Sequence, residues 1–403
     1  MSLTSHWTAS AVATPEIAVK IRNRSLIVGL VFAAIAAFGA FTLPGVVFMQ
    51  AYLLGYIAWL GLSLGCLGWL MIHYIAARGG WGLTARRIWE AGAGTLPLMA
   101  VLVIPILLNL KTLYIWARPE AVAVDKHLQY VTSVYLSPSM VTIRAVIYFV
   151  LWIGMAYLLT RWSAKQDLPE NEGLQLPFQW VAAPGMVVFA LTATFAVVDL
   201  VMSLTPAWAS SIYGLIFVAG DGLACMAFTI VITVILCRYQ PMATMLTKTT
   251  LHDYGKWCFA VIMLWAYFSF SQWLIIWSGN LPEEIGFFKV RLDGGWQYVS
   301  LFIVMFHWAV PWAILLSRDI KRNTQTLVPV ACWILFMRLV DIFWYIKPNL
   351  STTFNLNLWD VVVPVAMGGL WLAYFFFNLS RRPLVPLYAP FSTQVLEGEH
   401  GHD

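Results

Sequence analysis

Two stretches of this chain place a carboxylate in apolar surroundings seven residues ahead of a proline. They are "VDLVMSLTP" (Val198–Pro206) and "VDIFWYIKP" (Val340–Pro348). Asp199 and Asp341 therefore occupy equivalent places. An ionisable group in a membrane span costs roughly 2.5–3.5 kcal/mol on insertion scales, so it reads as functional by default. Such a carboxylate can hold a cation on a neighbouring helix or pass a proton. Arg144, Asp221, His307 and Arg338 share apolar runs in the same way, and His73 closes an early one. Arg338 and Asp341 are three apart, so on a helix they share a face and can neutralise each other. Asp199 has no basic residue at helical spacing, and Arg144 is its best candidate partner by depth. That pair either locks two helices or serves a proton or quinol site. Asp221 lies between Gly220 and Gly222 with no obvious partner, which reads as a functional carboxylate. His307, in an aromatic-rich run, is either a hydrogen-bonded core residue or a proton relay. Ser269, Ser271 and Gln272 either carry waters or join helices. At a rise of about 1.5 Å per residue, seven residues put both repeated Asp roughly 10 Å inside the ends of their helices. With His73 and Glu90 at the other boundary, the set samples most of a bilayer's depth, as a proton route does.

The elements that must hold these groups follow from composition. The chain has 403 residues, 61% hydrophobic and 11% charged, with a mean hydropathy of +0.76. Soluble domains carry about 25% charged residues, so this is an integral membrane protein. A crossing helix needs about 20 apolar residues. Ten runs qualify, at 25–43, 51–77, 93–115, 138–161, 180–204, 208–237, 254–277, 296–316, 327–347 and 359–379. Pro97, Pro105, Pro311 and Pro364 fall inside runs, where they are expected to kink the helices. Sixteen Lys and Arg flank the runs on the side of the chain ends and six on the other, with Arg144 and Arg338 inside. The positive-inside rule then predicts both termini in the cytoplasm. The loops 116–137 and 278–295 face outward, and the opening residues carry no evident cleavable signal.

Several chemistries are excluded. A transmembrane b-type haem needs two His at one level. Of seven His, His6, His400 and His402 lie in tails, His127 in an outer loop, and His252 and His73 at boundaries; only His307 is at mid-depth. The five Cys (66, 225, 237, 258 and 332) are scattered, with no close pair for an iron–sulfur centre or zinc. There is no phosphate-binding GxxxxGK[ST] loop. The net charge of +5 is spread over short loops, which argues against nucleic acid.

Weaker echoes accompany the paired Asp. "GLSLGC" (Gly61–Cys66) resembles "GDGLAC" (Gly220–Cys225), and "YIWARPE" (Tyr114–Glu120) resembles "IIWSGNLPEE" (Ile275–Glu284). Their order predicts an all-α fold of two parallel four-helix bundles, helices 2–5 and 6–9, flanked by helices 1 and 10. The divisions are a tail (1–24), the first helix and outer loop (25–50), the bundles (51–205 and 206–348), the last helix (349–380) and a tail (381–403).

"MSLTPAWASSIYGLIFVAG" (Met202–Gly220), "HDYGKWCFAVIMLWAYFSFSQWLIIWSGNLPEE" (His252–Glu284) and "RLVDIFWYIKP" (Arg338–Pro348) carry a resemblance. With nearly the whole chain, they resemble the smaller of the two NrfD-like membrane subunits of bacterial alternative complex III, a quinol:electron-acceptor oxidoreductase. The wider group holds polysulfide reductase membrane subunits. The resemblance implies ten helices, no cofactor on this chain, and the bacterial cytoplasmic membrane. It implies a larger NrfD-like sibling with the main quinol site (menaquinone or ubiquinone), an iron–sulfur subunit, and multihaem cytochrome c subunits. This chain would then be a non-catalytic or quinone-interacting subunit that anchors the outer redox subunits, with the loops 116–137 and 278–295 expected to contact them, and that conducts protons or offers a second quinone or lipid position. The family's buried-carboxylate pattern maps onto Asp199, Asp221 and Asp341, and its Arg onto Arg338. The competing readings are a secondary transporter and a purely structural anchor. Proline and glycine interruptions do not correspond between the halves, which argues against the transporter.

Overall fold

A computed structural model describes residues 16–76, 80–171, 174, 176–240, 242–386 and 388–389. Residues 1–15 and 390–403, with most of both expected tails, lie outside the described residues, as do Arg78, His6, His400 and His402. The described chain is helical, with no strand among the described residues. Ten helical spans are long and apolar enough to cross a membrane. They are α1 (Glu16–Thr42), α2 (Gly45–Ala76), α3 (Trp81–Leu108), α4 (Lys126–Lys165), α5 (Phe178–Leu204), α6 (Tyr213–Leu236), α7 (Lys248–Gly279), α8 (Trp296–Leu316), α9 (Thr324–Asn349) and α10 (Trp359–Leu379). An even number of crossings leaves both described chain ends on one face, here termed the terminal face.

Boundaries differ from expectation where polar residues continue a helix. α1 is described from Glu16, not near residue 25, and its added turns carry Lys20, Arg22 and Arg24, with Lys20 paired to Glu16 at 3.2 Å. α3 begins a dozen residues early, since Arg86, Arg87 and Glu90 neutralise one another within the helix. The outward loop expected at 116–137 is largely helical, with Pro119–Val124 and Lys126–Val134. Proline acts unevenly. Pro97 and Pro105 open separate short segments, Leu96–Leu102 and Ile104–Leu108, so α3 is broken. Pro364 sits within an uninterrupted helix. In α8 the stretch Val304–Ala309 is a π-helix just ahead of Pro311, which has no N–H to give back to the preceding turn.

α2 and α6 form the centre and are buried along most of their length. α2 packs on α3 and α5, and α4 packs on α5 and the broken part of α3. α6 packs on α7 and α9, and α8 packs on α7 and α9. The two sets meet through α2 with α6, α5 with α6, and α2 with α9. α1 lies along α10, and α10 lies on α2. Glycine permits the close crossing of these two: a Cβ at Gly29 on α1 would come 2.7 Å from the Leu370 backbone nitrogen on α10. Packing of small residues is the usual means of helix association where no water drives it.

Candidate functional site

The three carboxylates expected at depth all lie buried, in two clusters. In the first, Asp199 near the end of α5 faces Arg144 on α4. Arg144 Nε donates to Asp199 Oδ2 at 2.9 Å and its Nη2 donates to Oδ1 at 2.7 Å. Tyr148, one turn along α4, donates its hydroxyl to Oδ2 at 3.0 Å. The Tyr135 ring lies 3.9 Å from the Arg144 guanidinium carbon, a cation–π contact. The fork-on-fork pairing of Arg144 with Asp199 fits the sequence expectation and is the strong form of ion pair.

In the second cluster, Arg338 on α9 serves two acids. It donates to Asp341 on its own helix and, through Nη2, to Asp221 Oδ1 on α6 at 2.8 Å. The expectation that Asp221 lacks a partner is therefore wrong. Its partner comes from a helix more than a hundred residues away, and glycine makes room for it. A Cβ at Gly220 would collide with the Arg338 guanidinium, and one at Gly61 on α2 would collide with the Asp221 carboxylate. The echoed "GLSLGC" and "GDGLAC" thus lie against each other where α2 meets α6. Cys66 and Cys225, expected to have no close pair, stand with sulfurs 3.5 Å apart there. Among the described residues no group of three or more metal-ligating side chains forms.

A further expectation is reversed. With Arg338 on its own helix, Asp341 reads from the sequence as the locked carboxylate, and Asp199, with no cation at helical spacing, as the freer one. Asp199 accepts three side-chain hydrogen bonds, whereas Asp341 Oδ1 has no partner among the described residues. The reason is that Arg338 divides its donors between two acids while Arg144 gives a whole fork to one. Depths differ too. The α-helix of α5 ends at Leu200, one residue past Asp199, and a 3₁₀ turn follows; that of α9 continues to Ile346, five past Asp341.

Among the described residues, several buried polar atoms on α7, α8 and α9 complete no hydrogen bond. The Trp265 indole N–H lies beside Asp341, yet neither it nor Asp341 Oδ1 completes a hydrogen bond within the described chain. His307, wholly buried in the π-helix of α8, meets Trp265 edge-on at 4.4 Å between ring centroids. Among the described residues, both His307 ring nitrogens, Ser269 Oγ, Gln272 Oε1 and Arg338 Nε also complete no hydrogen bond. Native interiors satisfy nearly all buried polar atoms, so such a concentration marks a place for water or a ligand.

His73 stands apart from both clusters. It is buried at the terminal-face end of α2, against Trp89 and Tyr74. Beside it is a network that the sequence reading registered only through Glu90. Arg86 bonds Glu90 at 3.1 Å and Arg87 bonds it at 2.6 Å. Arg87 also bonds Asp167, and Arg86 reaches Gln166 at 2.8 Å. Arg382, past α10, donates to the Thr160 carbonyl at 2.7 Å, so it ties the chain's last described segment to α4. Burial pushes the Asp167 carboxyl up, with Arg87 opposing. The spacing of Arg86, Arg87 and Glu90 at one helical turn was the available signal.

No family model matches the chain, and none of the curated proteins compared with it does. The fold and the buried polar clusters define a multi-pass, all-helical integral membrane protein.

Proposed function

We propose that this chain is a membrane subunit of a quinol:electron-acceptor oxidoreductase complex and contributes a transmembrane proton pathway to it. The observation that carries the pathway is the Asp221–Arg338–Asp341 triad beside Trp265 and His307, whose buried ring nitrogens complete no hydrogen bond among the described residues. Such a group suits a hydrated proton route better than a sealed ion pair. The complex itself rests on the resemblance to NrfD-like subunits of alternative complex III. It brings with it the larger sibling, the iron–sulfur and multihaem cytochrome c partners, a menaquinone or ubiquinone pool, and the bacterial inner membrane with both termini cytoplasmic. The helix neighbours within α2–α5 and within α6–α9 support the two-bundle arrangement that belongs to this reading.

The structural-anchor reading has a specific observation in its favour: all three deep carboxylates have an arginine partner. One experiment separates the two. The complex is purified through a tag on this chain and its co-eluting subunits are identified by mass spectrometry. Asp221→Asn and His307→Phe variants are then reconstituted in vesicles. We expect haem-bearing and iron–sulfur partners, intact assembly, and slower quinol turnover or fewer protons moved per electron. Normal turnover and a normal gradient in both variants would leave only the anchor.

A further inference from the structure

Two cavities lie on either side of one wall. The first is in the α2–α5 set and is lined by Tyr56, Tyr148 and Asp199, among others. The second is where α2, α5 and α6 meet and is lined by Gly61, Phe217 and Asp221, among others. Leu60, Ala196 and Leu200 line both. A space at Asp199 and a space at Asp221 thus share three lining residues. Each has room for on the order of one water. The first also holds an orphan: Tyr56 is wholly buried, and its hydroxyl has no partner among the described residues. An unpartnered buried hydroxyl on the same cavity as a carboxylate is a setting that retains a bound water.

From this geometry we infer that the two cavities are halves of one water passage, closed at Leu60 and Leu200, that links Asp199 to Asp221. The inference deepens the proton-pathway reading and rests on it. Asp199 and its arginine stand at one end, and Asp221 leads through Arg338 to Asp341 and the His307 patch. The connection therefore runs between the two helix sets. Apolar constrictions of this kind block flow by excluding water, and they conduct when they are wetted. A water in the parted wall accepts a proton from one side and gives one to the other, so it ends as it began. Leu60 and Leu200 are gating residues in this scheme.

The test uses the full chain in its isolated complex, reconstituted in vesicles of phosphatidylethanolamine and phosphatidylglycerol. Passive proton influx is read with an entrapped pH dye, without electron donor. Leu60→Ala should raise the influx on the order of tenfold, as a barrier lowered by about 1.4 kcal/mol gives. Adding Asp221→Asn should return it to the unsubstituted rate, and Leu60→Met, which keeps the bulk, should not raise it. Radiolytic hydroxyl labelling of the unsubstituted protein should modify Tyr56, which reports the water in the first cavity. Should Leu60→Ala fail to accumulate, Leu200→Ala carries the same expectation. Unchanged influx in the alanine variants, a leak that survives Asp221→Asn, or an unlabelled Tyr56 each overturns the passage. These readouts need no quinol turnover. They therefore fail separately from the proposed function, which fails on normal turnover in the Asp221→Asn and His307→Phe variants.

Discussion

Arg338 is the most consequential single side chain in the molecule, because one guanidinium serves two carboxylates on different helices. Removing one partner of a buried pair strands the other charge and costs about 3–5 kcal/mol. Arg338→Ala strands two. We expect it to abolish accumulation of the folded chain in membranes, measured by fluorescence-detected size-exclusion of a tagged protein. Arg338→Lys should recover little, since a single ammonium lacks the planar fork that reaches both acids. The same logic ranks the repeated Asp. Asp199→Asn disturbs three bonds from two residues, and hydrogen bonds to charged groups are worth about 1.5–3 kcal/mol each. Asp341 has one such bond and an unused oxygen. Asp199→Asn should therefore lower the melting temperature in detergent more than Asp341→Asn does. The opposite ranking would return the locked role to the second carboxylate. Arg291 shows that a buried cation need not have an acid. It donates to the Phe287 and Tyr345 carbonyls and to Asn349. Two of these acceptors are carbonyls near helix C-termini, where the dipole favours positive charge. Burial still pushes its guanidinium down to about 10.

At the scale of elements, the short helix Pro282–Arg291 lies between α7 and α8, in the segment where the proposed function expects partner subunits to dock. The sequence suggests that deleting Pro282–Phe287 would release outer subunits. The structure makes that deletion a poor probe, because Phe287 stacks on Trp208 at 3.9 Å between ring centroids and is buried. Truncating a buried aromatic costs about 3–5 kcal/mol, so Phe287→Ala should destabilise the chain itself. Glu283 is exposed on the same helix. Glu283→Arg should keep the melting temperature within about 0.5 kcal/mol equivalent of the parent while weakening co-purification of the far-side partners. Retained partners at full yield would remove this helix from the docking surface. The π-helix of α8 is the second element with a clear cause. Pro311 denies a hydrogen bond to the turn that holds His307, and Trp333 donates instead to the Phe306 carbonyl at 2.9 Å. A regular helix would rotate His307 relative to Trp265.

For the whole molecule, the lysine and arginine bias sets a testable orientation. A fluorescent-protein reporter that folds only in the cytoplasm, fused after Asp403, should be bright if both ends are cytoplasmic. A periplasmic phosphatase reporter at the same place should be inactive. The reverse pattern would place the Asp199 cluster on the cytoplasmic side and invert any proton route. The ion network of Arg86, Arg87, Glu90 and Asp167 lies on the terminal face, where α3, α4 and the segment after α10 converge. It joins parts of the chain nearly three hundred residues apart. Arg382→Ala should loosen that joint by about 1–3 kcal/mol, visible as faster proteolysis of the C-terminal segment.

The sequence by itself determined the membrane class, the ten crossings and the set of groups buried in them. Each of those depends on local composition: a run of about 20 apolar residues spans the hydrocarbon core wherever its neighbours lie. It also gave the Arg338–Asp341 pair, which helical geometry alone brings together, and matched Arg144 to Asp199 by depth. Only the tertiary structure decided which helices face one another. That choice turned Asp221 from a lone carboxylate into the second acid of Arg338, brought Cys66 beside Cys225, and made Asp199 the better-held of the repeated pair. It also set Leu60 and Leu200 between two carboxylates from different helices. In a membrane the apolar faces are nearly alike, so hydropathy cannot choose neighbours. Glycines such as Gly61 and Gly220 choose them, by letting one particular side chain or backbone come close.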